Sequence, residues 1–256
     1  MTSEETTRDG RYATTVRRID LNADLGESFG IYRYGNDDAL MPIITSANIA
    51  CGFHAGDAAT MRASVARALE LGLAVGAHIG LPDRLGFGRR NLAISAQDAY
   101  DYSVYQIGAL EGFVRAAGGR LRHVKPHGAL YMMASEQRNL AMGIVRAVAD
   151  VDRSLAVYAL PGSELAIAAA EDGLAVRPEF FVDRPYRGAE VVMFGWSYAE
   201  LGSPADAVRR VDEMLGSPGF GAIETLCVHS DTDDAPAIAA AVRAALEARA
   251  DVVLAH

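Results

Sequence analysis

Short apolar runs alternate with amphipathic helical stretches along almost the whole chain, and this rhythm constrains the fold more than any other feature. Parallel strands need a long crossover to bring the chain back, and a helix is the usual one, so strand–helix alternation predicts parallel sheet. Strands are expected at 16–21, 47–51, 73–77, 121–124, 155–160, 174–182 and 225–228, with a last short one at 251–254. The helix expected over 57–71 puts Met61, Val65 and Leu69 on one face and stops at Gly72. Ser95 and Asp98 form a capping box for the next, whose stripe is Val104, Ile107, Leu110 and Val114 and whose end is Gly118-Gly119. Further helices are expected over 139–149, from Ser163 to Gly173, from Ser203 with Pro204 at the first helical position, and around Ile238, Val242 and Leu246. Seven or eight such units in one chain predict an α/β barrel, and an open doubly wound sheet is the alternative.

Length and composition agree with one sizeable core: 256 residues, half of them hydrophobic. Residues 16–256 read as a single (β/α)-barrel catalytic domain, and the polar residues 1–15 as a disordered N-terminal extension without the apolar segment of a signal peptide. The net charge is −9 and the basic residues are scattered, which argues against nucleic acid and against an anionic membrane surface as partners. The two cysteines, Cys51 and Cys227, lie in apolar runs and read as core residues of a protein from a reducing, cytoplasmic compartment.

Polar residues concentrate where strands end. Asn22 and Asp24 follow the first strand, His54 and Asp57 the second, His78 the third, Lys125 and His127 the fourth, Asp183 and Arg184 the sixth, and His229 and Asp231 the seventh. In a βα barrel all of these open onto the C-terminal face, where active sites lie. Four of the six histidines fall at such positions, well above what structural histidines alone would give. Carboxylates with imidazoles can bind a divalent metal or move protons, while Lys125 and Arg184 can hold anionic oxygens. Some of these residues also have structural readings. Asp57 suits a helix N-cap, Lys125 suits an ion pair with Asp24 or Glu27, and His123, inside its strand, suits a satisfied group within the barrel. No dinucleotide fingerprint, phosphate-binding loop or nucleophile elbow occurs in the sequence.

Several segments resemble the LamB/YcsF family: IDLNADLGESFG at 19–30, ANIACGFHAGD at 47–57, GAH at 76–78, GFGRR at 86–90, VKPHGALY at 124–131, DRPY at 183–186 and VHSD at 228–231. The resemblance implies a distorted seven-stranded barrel of the glycoside hydrolase/deacetylase-like type. It also implies the A subunit of an ATP-dependent hydrolase that opens the lactam of 5-oxo-L-proline to L-glutamate with separate B and C subunits. ATP is then a co-substrate, with Mg2+. Under that chemistry Asp24 or His54 activates water, His78 and His127 handle protons, Lys125 completes the catalytic group, and Asn22, Glu27, Arg184, His229 and Asp231 bind substrate. Two other readings use the same residues: a stand-alone metal-dependent deacetylase-like amide hydrolase with Asp24, His54 and His78 as metal ligands, and a non-enzymatic small-acid-binding subunit. The chain departs from the family pattern at Ile79, Leu81 and Ser230, and after Tyr186, where no arginine occurs between Arg187 and Arg209. The apolar run 191–196 that stands there is expected to pack as buried core.

Overall fold

The computed structural model describes residues 16–188 and 190–256; the expected N-terminal extension, 1–15, lies outside them. The strands are β1 (Arg17–Leu25), β2 (Ser46–Ala50), β3 (Ala74–Ile79), β4 (Leu121–Pro126), β5 (Ala156–Ala159), β6 (Val176–Phe181), β7 (Tyr186–Arg187), β8 (Glu190–Val191), β9 (Thr225–Val228) and β10 (Val252–Leu254). The parallel order β1-β2-β3-β4-β5-β6-β9 closes on itself, because β9 pairs with β6 on one side and β1 on the other. The architecture is therefore the seven-stranded barrel, and the open-sheet alternative falls. β10 lies outside the closure, pairing only with the first residues of β1, from Arg17 opposite Val252. β7 and β8 form a separate antiparallel hairpin.

The main helices are α1 (Asp37–Leu40), α2 (Ala58–Glu70), α3 (Ala96–Ala116), α4 (Gly128–Glu136), α5 (Arg138–Asp152), α6 (Glu164–Glu171), α7 (Tyr198–Leu201), α8 (Pro204–Gly216) and α9 (Ala235–Glu247). Their starts follow local chemistry. Asp57 caps α2 by accepting from the Thr60 amide, and Ser95–Asp98 and Ser203–Asp206 make reciprocal capping boxes on α3 and α8. Met61 and Val65 of α2, Ile107 and Leu110 of α3, and Ile238 and Val242 of α9 bury their stripes against the outer face of the barrel in one apolar cluster. Each such side chain stabilises the fold by about 1.5–3 kcal/mol.

The barrel interior is polar. Along β1, Ile19, Leu21, Ala23 and Leu25 face the helices, while Asp20, Asn22 and Asp24 alternate inward. At the bottom, Asp20 accepts hydrogen bonds from Thr45, Ser46, Tyr158 and Thr225. Above it, Asn22 donates to Glu179 at 3.0 Å and Thr225 at 2.7 Å, and Asn48 donates to Asn22 at 2.7 Å. His123 joins this tier, its Nε2 2.7 Å from Asn48 Oδ1 and its ring stacked on Tyr158 with centroids 4.0 Å apart. The ring passes over Gly76, where a Cβ would lie 2.0 Å from Nε2, so β3 needs glycine there.

Three expectations change. β1 runs to Leu25 instead of ending at Leu21, because the inward polar residues continue the strand while hiding its apolar pattern. α4, which follows Lys125-Pro126-His127, is an element the sequence does not announce. The run 191–196 is not buried core: Met193 is buried, Val191 and Val192 are half-buried and Phe194 is exposed. After β8 it crosses the mouth of the barrel, so its apolar groups cover a polar site instead of filling an interior.

Candidate active site

The next tier of the barrel is organised around Lys125, 2% exposed. Its Nζ lies 3.0 Å from Asp24 Oδ1, 3.1 Å from Glu179 Oε1, 3.3 Å from Asn22 Oδ1 and 2.9 Å from Cys227 Sγ. The ion pair expected with Asp24 or Glu27 is made with Asp24, and its second partner is Glu179. Glu179 is held by Tyr131, whose hydroxyl donates to Oε2 at 3.0 Å. Burial disfavours both charges. The attraction of Asp24, Cys227 and Glu179 nevertheless keeps the Lys125 ammonium well above its ordinary value, and His78 and Lys125 hold the Asp24 carboxyl well below its own.

Above this tier stand three histidines and a glutamate. β3 delivers His78, the end of β4 delivers His127, and the loops after β2 and β1 deliver His54 and Glu27. His54 and His127 stack face to face, centroids 3.8 Å apart, and His78 meets both edge-on. His54 Nε2 lies 3.4 Å from Glu27 Oε1, and His127 Nδ1 lies 3.7 Å from the same oxygen. Glu27 Oε2 accepts from Ser230 at 3.0 Å, which gives the departure at Ser230 a partner. Burial pushes the Glu27 carboxyl up to about 7 and, with His78 nearby, holds the His54 imidazole well below its usual value.

The tautomers follow from the carbonyls. His78 Nδ1 is 3.0 Å from Lys125 O, and His127 Nε2 is 2.7 Å from Phe87 O. Carbonyl oxygens only accept, so both of those nitrogens carry hydrogen. Phe87 holds its carbonyl in place from a left-handed conformation, φ 54°, an uncommon state for a non-glycine residue and one that recurs at functional sites. The remaining nitrogens, His78 Nε2 and His127 Nδ1, face each other at 3.0 Å. With both rings neutral this sets lone pair against lone pair, so the contact calls for a shared proton or a cation. Asp24 Oδ2, 3.4 Å from His78 Nε2, adds negative charge beside it.

A fourth imidazole, His229, is oriented from the opposite wall. His229 donates Nδ1–H to Asp183 Oδ1 at 2.9 Å, and its amide donates to Asp183 Oδ2 at 2.7 Å. This turns Nε2 inward, 4.0 Å from Asp24 Oδ2. Burial opposes ionisation of Asp183, but Arg184 and His229 outweigh it and hold its carboxyl at about 2. Arg184 is itself 1% exposed, 3.3 Å from Asp183 and 2.6 Å from Asp231, and Asp231 also accepts from Arg89 at 2.6 Å.

The six residues Asp24, His54, His78, Lys125, His127 and His229 thus come together at the C-terminal mouth, as their positions after strands predict. Asn22 sits one tier lower with its amide hydrogen bonds taken by the barrel, Arg184 and Asp231 brace each other, and Asp57 is a helix cap. Of the three metal ligands the sequence suggests, His54 and His78 meet Glu27 and His127, whereas Asp24 is tied to Lys125. Sequence reasoning left Asn48, Arg89, Tyr131 and Glu179 out of the site, and gave Asp183 a strand-end position without a role. Asn48 and Glu179 carry a usable signal, since each is a polar residue inside a short apolar strand. A cavity lined by Asp24, His78, Arg89, Lys125, His127 and His229 lies beneath Met193 and Phe194, and its volume of about 20 Å3 suits a single water.

Residues 19–255 match the model of the LamB/YcsF family. A relative from Tolumonas auensis, named as the A subunit of 5-oxoprolinase, is 49% identical across 90% of this chain and 96% of its own length. One of the same name from Shouchella clausii is 47% identical across 91% and 96%. The crystal structure of a lactam utilization protein from Thermus thermophilus superposes with a TM-score of 0.83 at 41% identity, covering 93% of this chain and 98% of that one. With the family model spanning almost every described residue and its motifs lining the mouth of the barrel, the chain belongs to the LamB/YcsF family.

Proposed function

We propose that this chain is the A subunit of an ATP-dependent 5-oxoprolinase, a cytoplasmic hydrolase that opens the lactam of 5-oxo-L-proline to L-glutamate with B and C subunits. The observation that carries this reading is 46–49% identity, over about nine-tenths of the chain, to relatives bearing that name. The chemistry of the site supports it. A lactam carbonyl is a poor electrophile, and transfer of a phosphoryl group from MgATP to its oxygen makes the ring carbon open to water. Nucleotide handling is assigned to the assembled complex.

In this chain a water between His229 Nε2 and Asp24 Oδ2 adds to the ring carbonyl carbon and passes its proton to Nε2. The C–N bond then breaks, the ring nitrogen takes that proton from His229, and a second water hydrolyses the resulting acyl phosphate to the free carboxylate of glutamate and inorganic phosphate. Asp183 fixes the tautomer that permits both transfers, Lys125 keeps Asp24 ionised, and Arg89 at the cavity wall meets the substrate carboxylate. A five-membered ring exceeds the present cavity, so Met193 and Phe194 move aside as it binds. The test is reconstitution with B and C: glutamate release from 5-oxoproline that requires ATP and stops when this chain is omitted. ATP-dependent turnover by B and C alone at the same rate would remove the assignment, as would full activity with His229→Asn.

A further inference from the structure

We propose that Glu27, His54, His78 and His127 form a binding site for one divalent transition-metal ion, with zinc or cobalt the best fit. This goes beyond the hydrolase reading and does not depend on it. Each of the four residues offers one donor atom, and these atoms lie within 4.8 Å of one another; the short separations run through Glu27 Oε1, His54 Nε2, His78 Nε2 and His127 Nδ1. A tetrahedral ion with bonds of about 2.0–2.1 Å separates its donors by about 3.3 Å. The separations here are 3.0 Å between His78 and His127, 3.4 Å between His54 and Glu27, and 3.7 Å between His127 and Glu27, which bracket that edge.

The protein also leaves these atoms otherwise unsatisfied. Glu27 Oε1 and His54 Nε2 are buried without a hydrogen-bond partner, a cost of about 1–3 kcal/mol each that an ion would relieve. His78 and His127 each spend the other ring nitrogen on a backbone carbonyl, Lys125 O and Phe87 O, which directs a lone pair at the centre and fixes the ring. Metal-binding histidines are held in this way. Glycine surrounds the cluster where bulk would dislodge it: a Cβ at Gly80 would lie 2.4 Å from His54 Nδ1, and one at Gly88 2.7 Å from His54 Cβ and 2.9 Å from His127 Cδ2. Three imidazoles and one carboxylate favour zinc, cobalt or iron over magnesium or calcium, which prefer oxygen. Asp24 engages Lys125 and Asn48 through Oδ1, and its Oδ2, 3.4 Å from His78 Nε2, stands beside the set as a neighbouring anion.

The probe is Co2+, added to the full chain after exhaustive chelation. The expected result is one ion per chain, with visible ligand-field bands of a four- or five-coordinate site with mixed nitrogen and oxygen donors, displaced by Zn2+. Melting temperature should rise on adding either ion, because only the folded chain presents the site. Glu27→Gln and His127→Gln, checked for folding by circular dichroism, should each weaken binding at least 10-fold, while His229→Gln should keep one ion at unchanged affinity. Two results would overturn the proposal: no stoichiometric uptake of Co2+ or Zn2+ by the folded wild-type chain, or uptake that both ligand variants retain at full affinity. If a variant fails to fold, X-ray absorption of the Co2+-loaded wild type decides the matter, since a first shell without two or more imidazoles contradicts the assignment. None of these readouts uses 5-oxoproline turnover, so this proposal and the hydrolase reading fail separately.

Discussion

Replacing Lys125 by methionine tests the logic of the barrel interior most directly. From the sequence alone, Lys125→Met reads as a probe of catalysis that leaves the fold intact. The structure predicts otherwise. Methionine keeps most of the side-chain volume, so the cavity cost is small; the loss is electrostatic. Two carboxylates, Asp24 and Glu179, lie 3.0 and 3.1 Å from the ammonium and are 4% and 1% exposed, and among the described residues no arginine or second lysine pairs with either. Removing one partner of a buried ion pair costs about 3–5 kcal/mol, because an uncompensated charge stays behind. Against a total stability of about 5–15 kcal/mol, this is enough to lower the melting temperature by about 6–20 degrees or to prevent folding. The assay is urea unfolding followed by near-ultraviolet circular dichroism, repeated with Glu179→Gln and with the double variant. Glu179→Gln should recover about 1–3 kcal/mol in the Lys125→Met background, since one of the two stranded charges is gone. A single-variant loss under about 1 kcal/mol, or strict additivity of the two substitutions, would refute the claim that Lys125 neutralises both acids.

Other consequences are equally specific. Asp183, held at about 2 against an ordinary 3.8, contributes stability that is fully present above pH 4 and disappears as the pH falls through about 2. Its share is on the order of 2 kcal/mol, so acid unfolding of Asp183→Asn should be flatter than wild type over that range. The same substitution should lower kcat in the reconstituted complex by about 100-fold or more with little change in KM, because His229 loses its fixed tautomer while the cavity wall is kept; an unchanged kcat would free Asp183 of that role. Gly76→Ala should cost about 1–3 kcal/mol in urea unfolding through the Cβ clash with the His123 ring, and His123→Ala should relieve most of that clash. Equal losses in both backgrounds would place the strain elsewhere.

What is legible in the sequence follows from what each signal measures. Capping chemistry is local, so Ser95–Asp98 is read correctly from residues three apart, Ser203 from the Pro204 that follows it, and Asp57 from its place at a helix start. The outer stripes of α2, α3 and α9 are legible because they pack against apolar strand faces. The inner face of the barrel is not, because there the usual pattern is inverted: Asp20, Asn22, Asp24, Asn48 and Glu179 are buried, and a reading that equates polar with loop ends β1 at Leu21. Cross-barrel partnership is hidden for a related reason. Glu179 and Lys125 stand on strands separated by β5, and nothing near either residue in sequence marks the other. Asp183 stands at a recognisable strand end, yet its bond to His229 joins residues 46 positions apart. The run 191–196 is misread because hydrophobicity alone does not distinguish a core from a cover over a polar mouth.

The charge distribution ties the tiers of the site together. At the bottom, Asp20 needs no counter-ion, because hydroxyl donors from Thr45, Ser46, Tyr158 and Thr225 satisfy both of its oxygens. At the top, Asp24 and Glu179 share one ammonium, which leaves one negative charge in a buried region. An ionised Glu27 would add a second. Neither Arg184 nor Arg89 cancels this, since both are engaged by Asp231, and Arg184 also by Asp183. The imidazoles of His54, His78 and His127 are then the groups through which positive charge can enter. One proton at the His78–His127 contact balances the interior only while Glu27 is neutral. A divalent ion balances it with Glu27 ionised and gives every lone pair in the cluster a partner. Burial raises the Glu27 carboxyl and lowers the imidazoles of His54 and His127, so each of these groups is held toward its neutral form. The same field draws cations, not anions, toward the mouth. The carboxylate of a lactam acid must therefore be met at the rim, and Arg89 on the cavity wall is the cation placed to do so.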